Sequence, residues 1–371
     1  MGGKNLKICV LSEYAHPLLS GTSNEIGGAE LQMAMLAKEL LKRSHDVSFV
    51  SFGDSQYFSQ IDGLNIYNPF DVQNSGFTHL KPWNILTLFK TLKKINADIY
   101  IQRGVTPLTG LTAMFCRLNH KKFVYSVASD SAVTSYLDIK TVSDLRKVFY
   151  KIGIMLSSVL VCQSKVQMEL LDKRGKKSVL IKNAYIPPLS QKPEHDIKSL
   201  WVGRISKEKR PDLYFKLAKE IPEHDFFMIG APSRKDCEYY KRIKKEAGDV
   251  DNLRFLGFVP HEKINEYYSR SSILVNTSPV EGFPNTFLEA WGNSIPVVSF
   301  VDPDKVISRN KLGYSSNNFE EMVKNVKKLL ETTDLRAEMG INGKKYVLNE
   351  HNFNKVVDSY EKLFERLIET V

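Results

Sequence analysis

Residues 199–209 read SLWVGRISKEK, and this stretch decides the fold of the second half of the chain. A short apolar run ends at a glycine and passes into a basic segment, which is typical of a parallel β-α-β unit. Further apolar runs follow, separated by segments of helical periodicity: DFFMIGA (225–231), LRFLGFV (253–259), SILVNTS (272–278) and PVVSFV (296–301). The second half is therefore predicted to form a doubly wound parallel sheet.

The first half repeats this rhythm and predicts a second α/β domain with its own sheet. Its apolar runs are KICVLS (7–12), DVSFVSF (46–52), ADIYIQ (97–102), KFVYSV (122–127), SVLVCQ (158–163) and SVLIKNA (178–184). Residues 186–196 contain three prolines and many polar side chains, which indicates an exposed linker. We predict Rossmann-like domains over 1–185 and 197–351. The apolar spacing of residues 352–371 predicts a last helix that packs on a folded domain.

Composition excludes several classes of protein. The 371 residues, 42% of them hydrophobic, suffice for two ordinary domains. The four cysteines show no C-x-x-C spacing, so neither a disulfide framework nor a zinc site is expected. The N-terminus lacks a signal-peptide pattern, and the longest nearly uncharged stretch, 152–162, is shorter than the roughly 18 to 20 residues of a membrane span. We therefore expect a cytoplasmic protein.

The net charge of +10 lies almost entirely in the first half, where residues 1–190 carry 23 Lys and Arg against 14 Asp and Glu. Such a surface attracts nucleic acid, an anionic membrane or a phosphorylated acceptor alike. The chain has no recognised nucleic-acid-binding motif, so nucleic acid is not expected as a partner. We prefer peripheral contact with the inner face of a membrane over a merely solvated surface. The basic candidates include Lys140, Arg146, Lys147, Lys151, Lys173, Arg174, Lys176 and Lys177.

The loop after SLWV has the residue types that bind a diphosphate. Gly203 permits a tight turn, and Arg204 and Lys209 place two cations five positions apart. Two cations at this spacing are able to clasp one diphosphate. The alternative is a solvated basic loop without a ligand.

A second motif, EGFPNTFLE, spans residues 281–289. Gly282 and Pro284 mark a turn and a helix start, whose backbone N–H groups suit an anion. Glu281 in the loop and Glu289 in the helix are able to accept hydrogen bonds from sugar or ribose hydroxyls. The alternative is that both carboxylates only complement the positive end of the helix.

The loop over residues 26–30, Ile-Gly-Gly-Ala-Glu, follows the first strand and opens a strongly periodic helix. Its glycines let the backbone approach a phosphate closely. The loop is not a G-x-G-x-x-G fingerprint, and no acidic residue is placed for a dinucleotide ribose, which argues against a dehydrogenase. The chain also contains no G-x-x-x-x-G-K-[ST] P-loop.

Together these motifs resemble those of family 4 (group 1) retaining glycosyltransferases, which pair G-G-A with G-R-x-x-x-x-K and E-G-x-x-x-x-x-x-E. The resemblance covers essentially the whole chain. It implies the GT-B fold, with two Rossmann-like domains facing a central cleft and a last helix crossing back to the N-domain. It also implies metal-independent transfer of a hexosyl or other glycosyl unit from a nucleotide-diphosphate sugar to a hydroxyl of a saccharide or lipid-linked acceptor. Polysaccharide, lipopolysaccharide or glycolipid assembly is the expected setting, without a cofactor.

The resemblance also implies roles for individual residues. Arg204 and Lys209 hold the diphosphate, while Glu289 binds the ribose. The remaining donor-side positions are Gly27 and Gly28 closing from the opposite domain, Glu281 facing the sugar, Phe258 and Val259 at the base, and Gly203, Gly282, Phe283, Pro284 and Asn285 in the two loops. Retention follows either same-face attack or two displacements through a covalent intermediate, and the sequence leaves both open.

The chain departs from the family pattern in the loop 126–130, where many relatives have a histidine that touches the donor sugar. This chain offers Ala128, Ser129 and Asp130 instead. Asp130 either takes over the hydroxyl contacts or caps the next helix. Ser164 and Gln167 have the capping-box spacing and are expected to fix a helix start.

Four further residues lie outside these motifs. Arg103 follows the strand ADIYIQ and either contacts an anionic acceptor or pairs with a structural carboxylate. Asp302 and Asp304 mimic a metal-binding D-x-D but lack further ligands, so a catalytic metal is not expected. His261 is interpreted as a lone solvated histidine.

Two other functions remain as alternatives to glycosyl transfer. A sugar-nucleotide epimerase of the GT-B fold uses similar diphosphate contacts without any acceptor. A basic nucleic-acid-binding protein is a weaker alternative, suggested only by the charge of the first half.

Overall fold

The computed structural model describes residues 5–13, 15–20, 27–52, 56–71, 80–134, 145–187, 196–232 and 237–369. The chain forms two compact units. The first comprises Met1–Asn183 together with Asn354–Val371, and the second comprises Ala184–Phe353. Lys140 and most of the predicted linker lie outside the described residues.

The first unit contains an eight-stranded sheet in the order β3-β4-β2-β1-β5-β6-β7-β8. The strands are β1 (Lys7–Leu11), β2 (Asp46–Val50), β3 (Phe58–Ile61), β4 (Leu64–Tyr67), β5 (Ile99–Arg103), β6 (Lys122–Ser126), β7 (Val159–Cys162) and β8 (Ser178–Leu180). All neighbours are parallel except β3 and β4, which form an antiparallel hairpin at one edge. The helices are α1 (His16–Leu19), α2 (Gly28–Lys42), α3 (Pro82–Ile95), α4 (Leu108–Leu118), α5 (Asp130–Val133), α6 (Leu145–Leu156) and α7 (Lys165–Asp172), with the last helix of the chain added below.

The buried central strands explain why this sheet forms. Every residue of β5 is buried, because helices cover both faces of a parallel sheet. Close packing of α4 on α6 depends on small residues. A Cβ at Gly110 would lie 2.2 Å from the backbone oxygen of Phe149, and one at Gly153 would lie 2.6 Å from Thr109. A larger residue at either position would push the two helices apart.

The second unit contains a six-stranded parallel sheet in the order β11-β10-β9-β12-β13-β14. Its strands are β9 (Ile197–Val202), β10 (Phe226–Ile229), β11 (Leu253–Gly257), β12 (Ser271–Asn276), β13 (Val297–Ser299) and β14 (Gly313–Ser315). Its helices are α8 (Pro211–Glu220), α9 (Cys237–Gly248), α10 (His261–Arg270), α11 (Asn285–Gly292), α12 (Val306–Asn310), α13 (Phe319–Glu331) and α14 (Thr333–Glu350). Strand order reverses between β9 and β12, and such a switch point is where doubly wound sheets bind ligands.

The last helix, α15 (Phe353–Glu369), packs on the first unit. Arg43 Nη1 donates to Asp358 and Glu361 at 2.5 and 2.6 Å, and His45 Nε2 lies 3.0 Å from Glu361 Oε1. The buried side chains Val356, Val357, Tyr360, Leu363 and Phe364 form its inner face. Within the described ranges, no helix is long and apolar enough to cross a membrane.

Candidate active site

The predicted diphosphate loops lie at the switch point of the second sheet. Strands β9 and β12 are direct neighbours, with Leu200 opposite Leu274. Because the strands are parallel, the loops that follow them leave from the same edge of the sheet. The segments 203–209 and 277–284 are therefore adjacent in space although some 70 positions separate them in sequence.

Lys209 and Glu281 form an ion pair across these two loops, between Nζ and Oε1. Lys209 ends a short 3-10 turn, Lys207–Lys209, that precedes α8. Its backbone oxygen accepts a hydrogen bond of 2.7 Å from Thr277 Oγ1, which in turn accepts one of 3.0 Å from Trp201 Nε1. The lysine is thus held at both its backbone and its ammonium group.

Asn276 and Thr277 are site residues that the sequence analysis missed. Asn276 Nδ2 lies 3.5 Å from Glu281 Oε1, and its side-chain oxygen accepts 3.0 Å from the backbone N–H of Ser278. Asn276 is the last residue of β12 and Thr277 follows it, at the strand end where ligand contacts are expected. Their polar side chains at the end of an otherwise apolar run were the signal that was available.

Arg204 differs from Lys209 in its surroundings. Its loop is fixed by backbone hydrogen bonds from Gly203 to Ile229 and from Ile205 to Ala231, of 3.1 and 2.9 Å. Its guanidinium is exposed and makes no hydrogen bond or ion pair with other described residues. The structure therefore holds one of the two predicted cations in place and leaves the other exposed.

The EGFPNTFLE loop leads into α11, whose N-cap residue is Pro284. No side chain caps this helix, and its first N–H groups carry the positive end of the helix dipole. Phe283 is buried, with ring centroids 6.4 Å from Trp291 and 4.7 Å from His351. The side chain of Phe283 thus anchors the loop in the core, and only its backbone remains for a ligand.

Glu289 has partners within its own unit. His261, the first residue of α10, places Nε2 3.5 Å from Glu289 Oε1. The hydrogen bond to Glu289 raises the pKa of His261 above its usual value. Burial, followed by the charge of Glu289, raises the pKa of Tyr268 well above its ordinary range. The interpretation of His261 as a lone solvated side chain is wrong, because α10 and α11 pack together and bring it against this carboxylate.

The predicted base-binding segment follows β11 at Gly257, which has a positive φ of 70°. Val259 is buried in the core of the unit, whereas Phe258 is only partly buried. Of these two residues, Phe258 is the one whose ring remains accessible to a ligand.

In the first unit, Gly27 is the N-cap residue of α2 and is extended, with φ −84° and ψ 144°. A Cβ at Gly27 would lie 1.9 Å from Glu30 Oε2, so the Glu30 carboxylate folds back over the glycine at the helix start. Gly28 begins the helix. Gly27 thus has no side chain of its own to shield its backbone, but the carboxylate of Glu30 lies beside it.

Asp130 is the first residue of α5, and the N-cap position belongs to Ser129. The capping alternative for Asp130 is therefore wrong. Gln167 Nε2 donates to Asp130 Oδ1 at 2.8 Å. The backbone N–H of Gln167 donates to Ser164 Oγ at 3.2 Å, which confirms Ser164 as the cap of α7. The same glutamine thus fixes a helix start and orients Asp130.

Arg103 ends β5 and is buried, where desolvation lowers the pKa of its guanidinium. Its Nη2 donates to Asn183 Oδ1 at 2.9 Å, and Nε has no hydrogen-bond partner in the described part of the chain. No carboxylate lies within ion-pair distance of Arg103 among the described residues. The alternative of a structural carboxylate pair is wrong, and the partner is a neutral amide.

Asp302 has a structural role at the start of α12. Its carboxylate accepts hydrogen bonds from the backbone N–H groups of Ile307 and Ser308, at 2.7 and 3.1 Å. Asp304 has a positive φ of 51° in the intervening turn. Within the described residues, no three His, Cys, Asp or Glu side chains cluster in a way that would hold a metal ion.

The two sheets and their order define the GT-B class of α/β proteins, and solved structures share this fold. Sucrose-phosphate synthase from Thermosynechococcus elongatus aligns with a TM-score of 0.82 at 14% identity, covering 98% of this chain and 99% of that one. Anabaena HepE, solved with UDP and glucose, gives a TM-score of 0.75 at 14% identity, covering 98% and 100%. These likenesses confirm the predicted fold.

Sequence comparison narrows the class. Residues 186–346 match the family model described as "Glycosyl transferases group 1". An uncharacterized glycosyltransferase of Haemophilus influenzae is 22% identical over 364 residues, covering 90% of this chain and 95% of that protein. This chain is thus similar, over most of its second unit, to the group 1 glycosyl transferases and, over most of its length, to a protein described as a glycosyltransferase.

Proposed function

We propose that this protein is a family 4, configuration-retaining glycosyltransferase that moves a hexosyl unit from a nucleotide-diphosphate sugar to an acceptor hydroxyl without a metal ion. The observation that carries the proposal is the placement of Lys209. Its ammonium group is fixed at the switch point, next to the loop that opens α11. A fixed cation and a helix N-terminus at one strand edge suit a leaving diphosphate.

The proposed reaction breaks the bond between the anomeric carbon and the β-phosphate oxygen, and the electron pair stays on the diphosphate. Lys209, Arg204 and the backbone N–H groups of α11 stabilise the charge that develops there. The acceptor oxygen bonds to the anomeric carbon on the same face, and its proton passes to the leaving phosphate. We favour this route over a covalent intermediate because the leaving phosphate itself accepts the proton, so that no nucleophile from the protein is needed.

The donor contacts follow from the positions of the remaining side chains. Glu289 accepts from the ribose hydroxyls, Phe258 lies against the base, and Glu281 accepts from hydroxyls of the sugar once the diphosphate has replaced it as the partner of Lys209. Gly203, Gly282, Pro284 and Asn285 contribute backbone to the two loops, and Val259 and Phe283 support them from the core.

From the first unit, we assign Gly27 and Gly28 to backbone contacts with the donor diphosphate. Asp130, oriented by Gln167, accepts from hydroxyls of the transferred sugar. Arg103, buried with a neutral partner, binds an anionic group of the acceptor. A saccharide or lipid-linked acceptor in polysaccharide, lipopolysaccharide or glycolipid assembly fits these assignments, in a cytoplasmic enzyme with peripheral membrane contact.

Thermal shift with a panel of UDP-, GDP- and ADP-sugars identifies the donor, because a ligand that binds only the folded state raises the unfolding temperature. We expect one nucleotide series to stabilise wild type and to lose its effect in Arg204→Ala. Transfer is then measured with and without chelator, and the anomeric configuration of the product is determined by NMR. An epimerised nucleotide-sugar formed without acceptor, an inverted product, or loss of activity on chelation would each overturn the corresponding part of the proposal.

A further inference from the structure

The outer face of α3, in the first unit, carries large apolar side chains and cations together. Trp83 is 77% exposed and Leu86 is 54% exposed. At 100° per residue, Lys90, Lys93 and Lys94 fall on the same side of the helix as these two. We call these five residues the α3 face.

The orientation of α3 is fixed by its other side. Leu88, Thr91 and Leu92 are fully buried, and Phe89 packs against the same core cluster. The phenol of Tyr57 lies 3.1 Å from Thr91 Oγ1, which ties α3 to the segment before β3. The helix is therefore unable to bury Trp83 by rotating without emptying this core.

The cationic and aromatic surface continues beyond the helix. Lys94 Nζ lies 5.3 Å from the ring centroid of Tyr57 and 5.7 Å from that of Tyr67. Phe58, at the start of edge strand β3, is exposed and packs 5.1 Å from Tyr67 between ring centroids. An exposed indole, exposed aromatic rings and lysines thus form one surface.

Charge identifies the kind of partner. The segment from Lys81 to Ile95 contains four lysines and no acidic residue. The acid of the neighbouring β3–β4 turn, Asp62, already pairs with Lys38 at 2.8 Å. Helices with Trp and Leu beside lysines lie in the headgroup region of bilayers, where the indole inserts and lysine stems extend toward phosphates. Nucleic acid would use the lysines but gives no role to an exposed leucine.

We propose that the α3 face docks this protein on a bilayer that contains anionic lipids, with Trp83 and Leu86 in the interface and Lys90 and Lys93 on the headgroups. This inference rests on the peripheral membrane contact proposed above and assigns its surface. Binding of vesicles needs neither donor nor acceptor, so it fails or succeeds independently of sugar transfer.

Tryptophan fluorescence of the full chain tests the proposal directly. The chain contains three tryptophans, and Trp201 and Trp291 are buried, so a change on binding reports Trp83. We expect phosphatidylglycerol-containing vesicles to shift the emission to shorter wavelength and to protect it from acrylamide. Phosphatidylcholine vesicles should do neither, and Trp83→Phe should abolish the shift. An unchanged spectrum with anionic vesicles, or a shift that persists in Trp83→Phe, would overturn the proposal.

Sedimentation with the same vesicles measures how much the lysines of the α3 face contribute to membrane partitioning. Lys90→Gln/Lys93→Gln should lower partitioning about 25-fold, since each lysine near the surface contributes about fivefold. The charge-matched control is Lys244→Gln/Lys245→Gln on α9 of the second unit, which should bind like wild type. Equal losses in both double variants would contradict docking through α3.

An apolar control distinguishes insertion of Trp83 into the bilayer from non-specific hydrophobic adsorption. Trp83→Ala should lower partitioning about tenfold or more. Leu118→Ala, which removes an exposed side chain at the end of α4, should not change it. A Trp83-dependent dimer in size-exclusion chromatography would identify a second copy of the chain as the partner and overturn the proposal. An emission shift with oligonucleotides and none with vesicles would identify nucleic acid as the partner and overturn it as well.

Discussion

Removing Lys209 separates its structural role from its chemical one. Its side chain is 27% exposed and that of its partner Glu281 is 13% exposed. In Lys209→Ala the carboxylate keeps only the long contact of 3.5 Å to Asn276. A partly buried charge left in this way costs about 2 kcal/mol, between the ~0.2–1 kcal/mol of surface pairs and the ~3–5 kcal/mol of fully buried ones. For a unit of this size we expect the unfolding temperature to fall by about 4–8 °C.

Arg204→Ala is the matched control, because the Arg204 side chain is exposed and unpaired among the described residues. Its stability should stay within about 0.5 kcal/mol of wild type. The double variant Lys209→Ala/Glu281→Ala should recover much of the lost stability, since neither charge is then left alone. Donor turnover should nevertheless fall by about 100-fold to 1,000-fold or more in both single variants.

Thermal unfolding and initial-rate measurements on the four proteins test this reasoning. Unchanged turnover in both Arg204→Ala and Lys209→Ala would refute the leaving-group role. A Lys209→Ala protein as stable as wild type, or a double variant less stable than Lys209→Ala, would refute the ion-pair argument.

Two other changes in the second unit have defined outcomes. His261→Gln should lose most stability relative to wild type below pH about 6.5, and this loss should vanish as pH rises through the raised pKa of His261, because only the imidazolium attracts Glu289. Urea unfolding at several pH values measures the difference in stability. A difference that does not depend on pH would contradict this prediction. Gly292→Ala should destabilise the protein by about 1–3 kcal/mol, because the added Cβ would lie 2.1 Å from the hydroxyl oxygen of buried Tyr185. Urea unfolding measures this loss. A midpoint equal to that of wild type would show that the Tyr185 side chain moves aside without cost.

The sheets were predictable because parallel strands covered on both faces are continuous apolar runs. All four residues of β7 and of β10 are buried, and both strands were predicted from their apolar runs in the sequence. The β3–β4 hairpin was missed, although Asp62 and Gly63 both have positive φ and form the D-G dipeptide typical of such turns. Its strands are short and half exposed, so their periodicity is weak.

The site could be predicted as a set of residues but not as a set of pairs. Motif spacing predicted Lys209 and Glu281 in two candidate ligand loops, and the strand order makes those loops neighbours. Which charge faces which depends on side-chain conformations and on supports such as Thr277 and Asn276, for which the motifs carry no signal.

The sequence does not show whether a charged side chain at a strand end is buried, or which residue is its partner. Arg103 lies at a strand end, where contact with an anionic acceptor was as reasonable as a structural pair with a carboxylate, yet it is buried beside the amide of Asn183. A guanidinium does not lose its proton in proteins, so the charge of Arg103 persists although no described carboxylate lies within ion-pair distance. The orientation of Asp130 by Gln167 also depends on the sheet, because the pairing of β6 with β7 brings α5 beside α7. The local sequence determines which residue types stand at the strand ends. The order of the strands in the sheet determines which of these residues are buried and which of them contact one another.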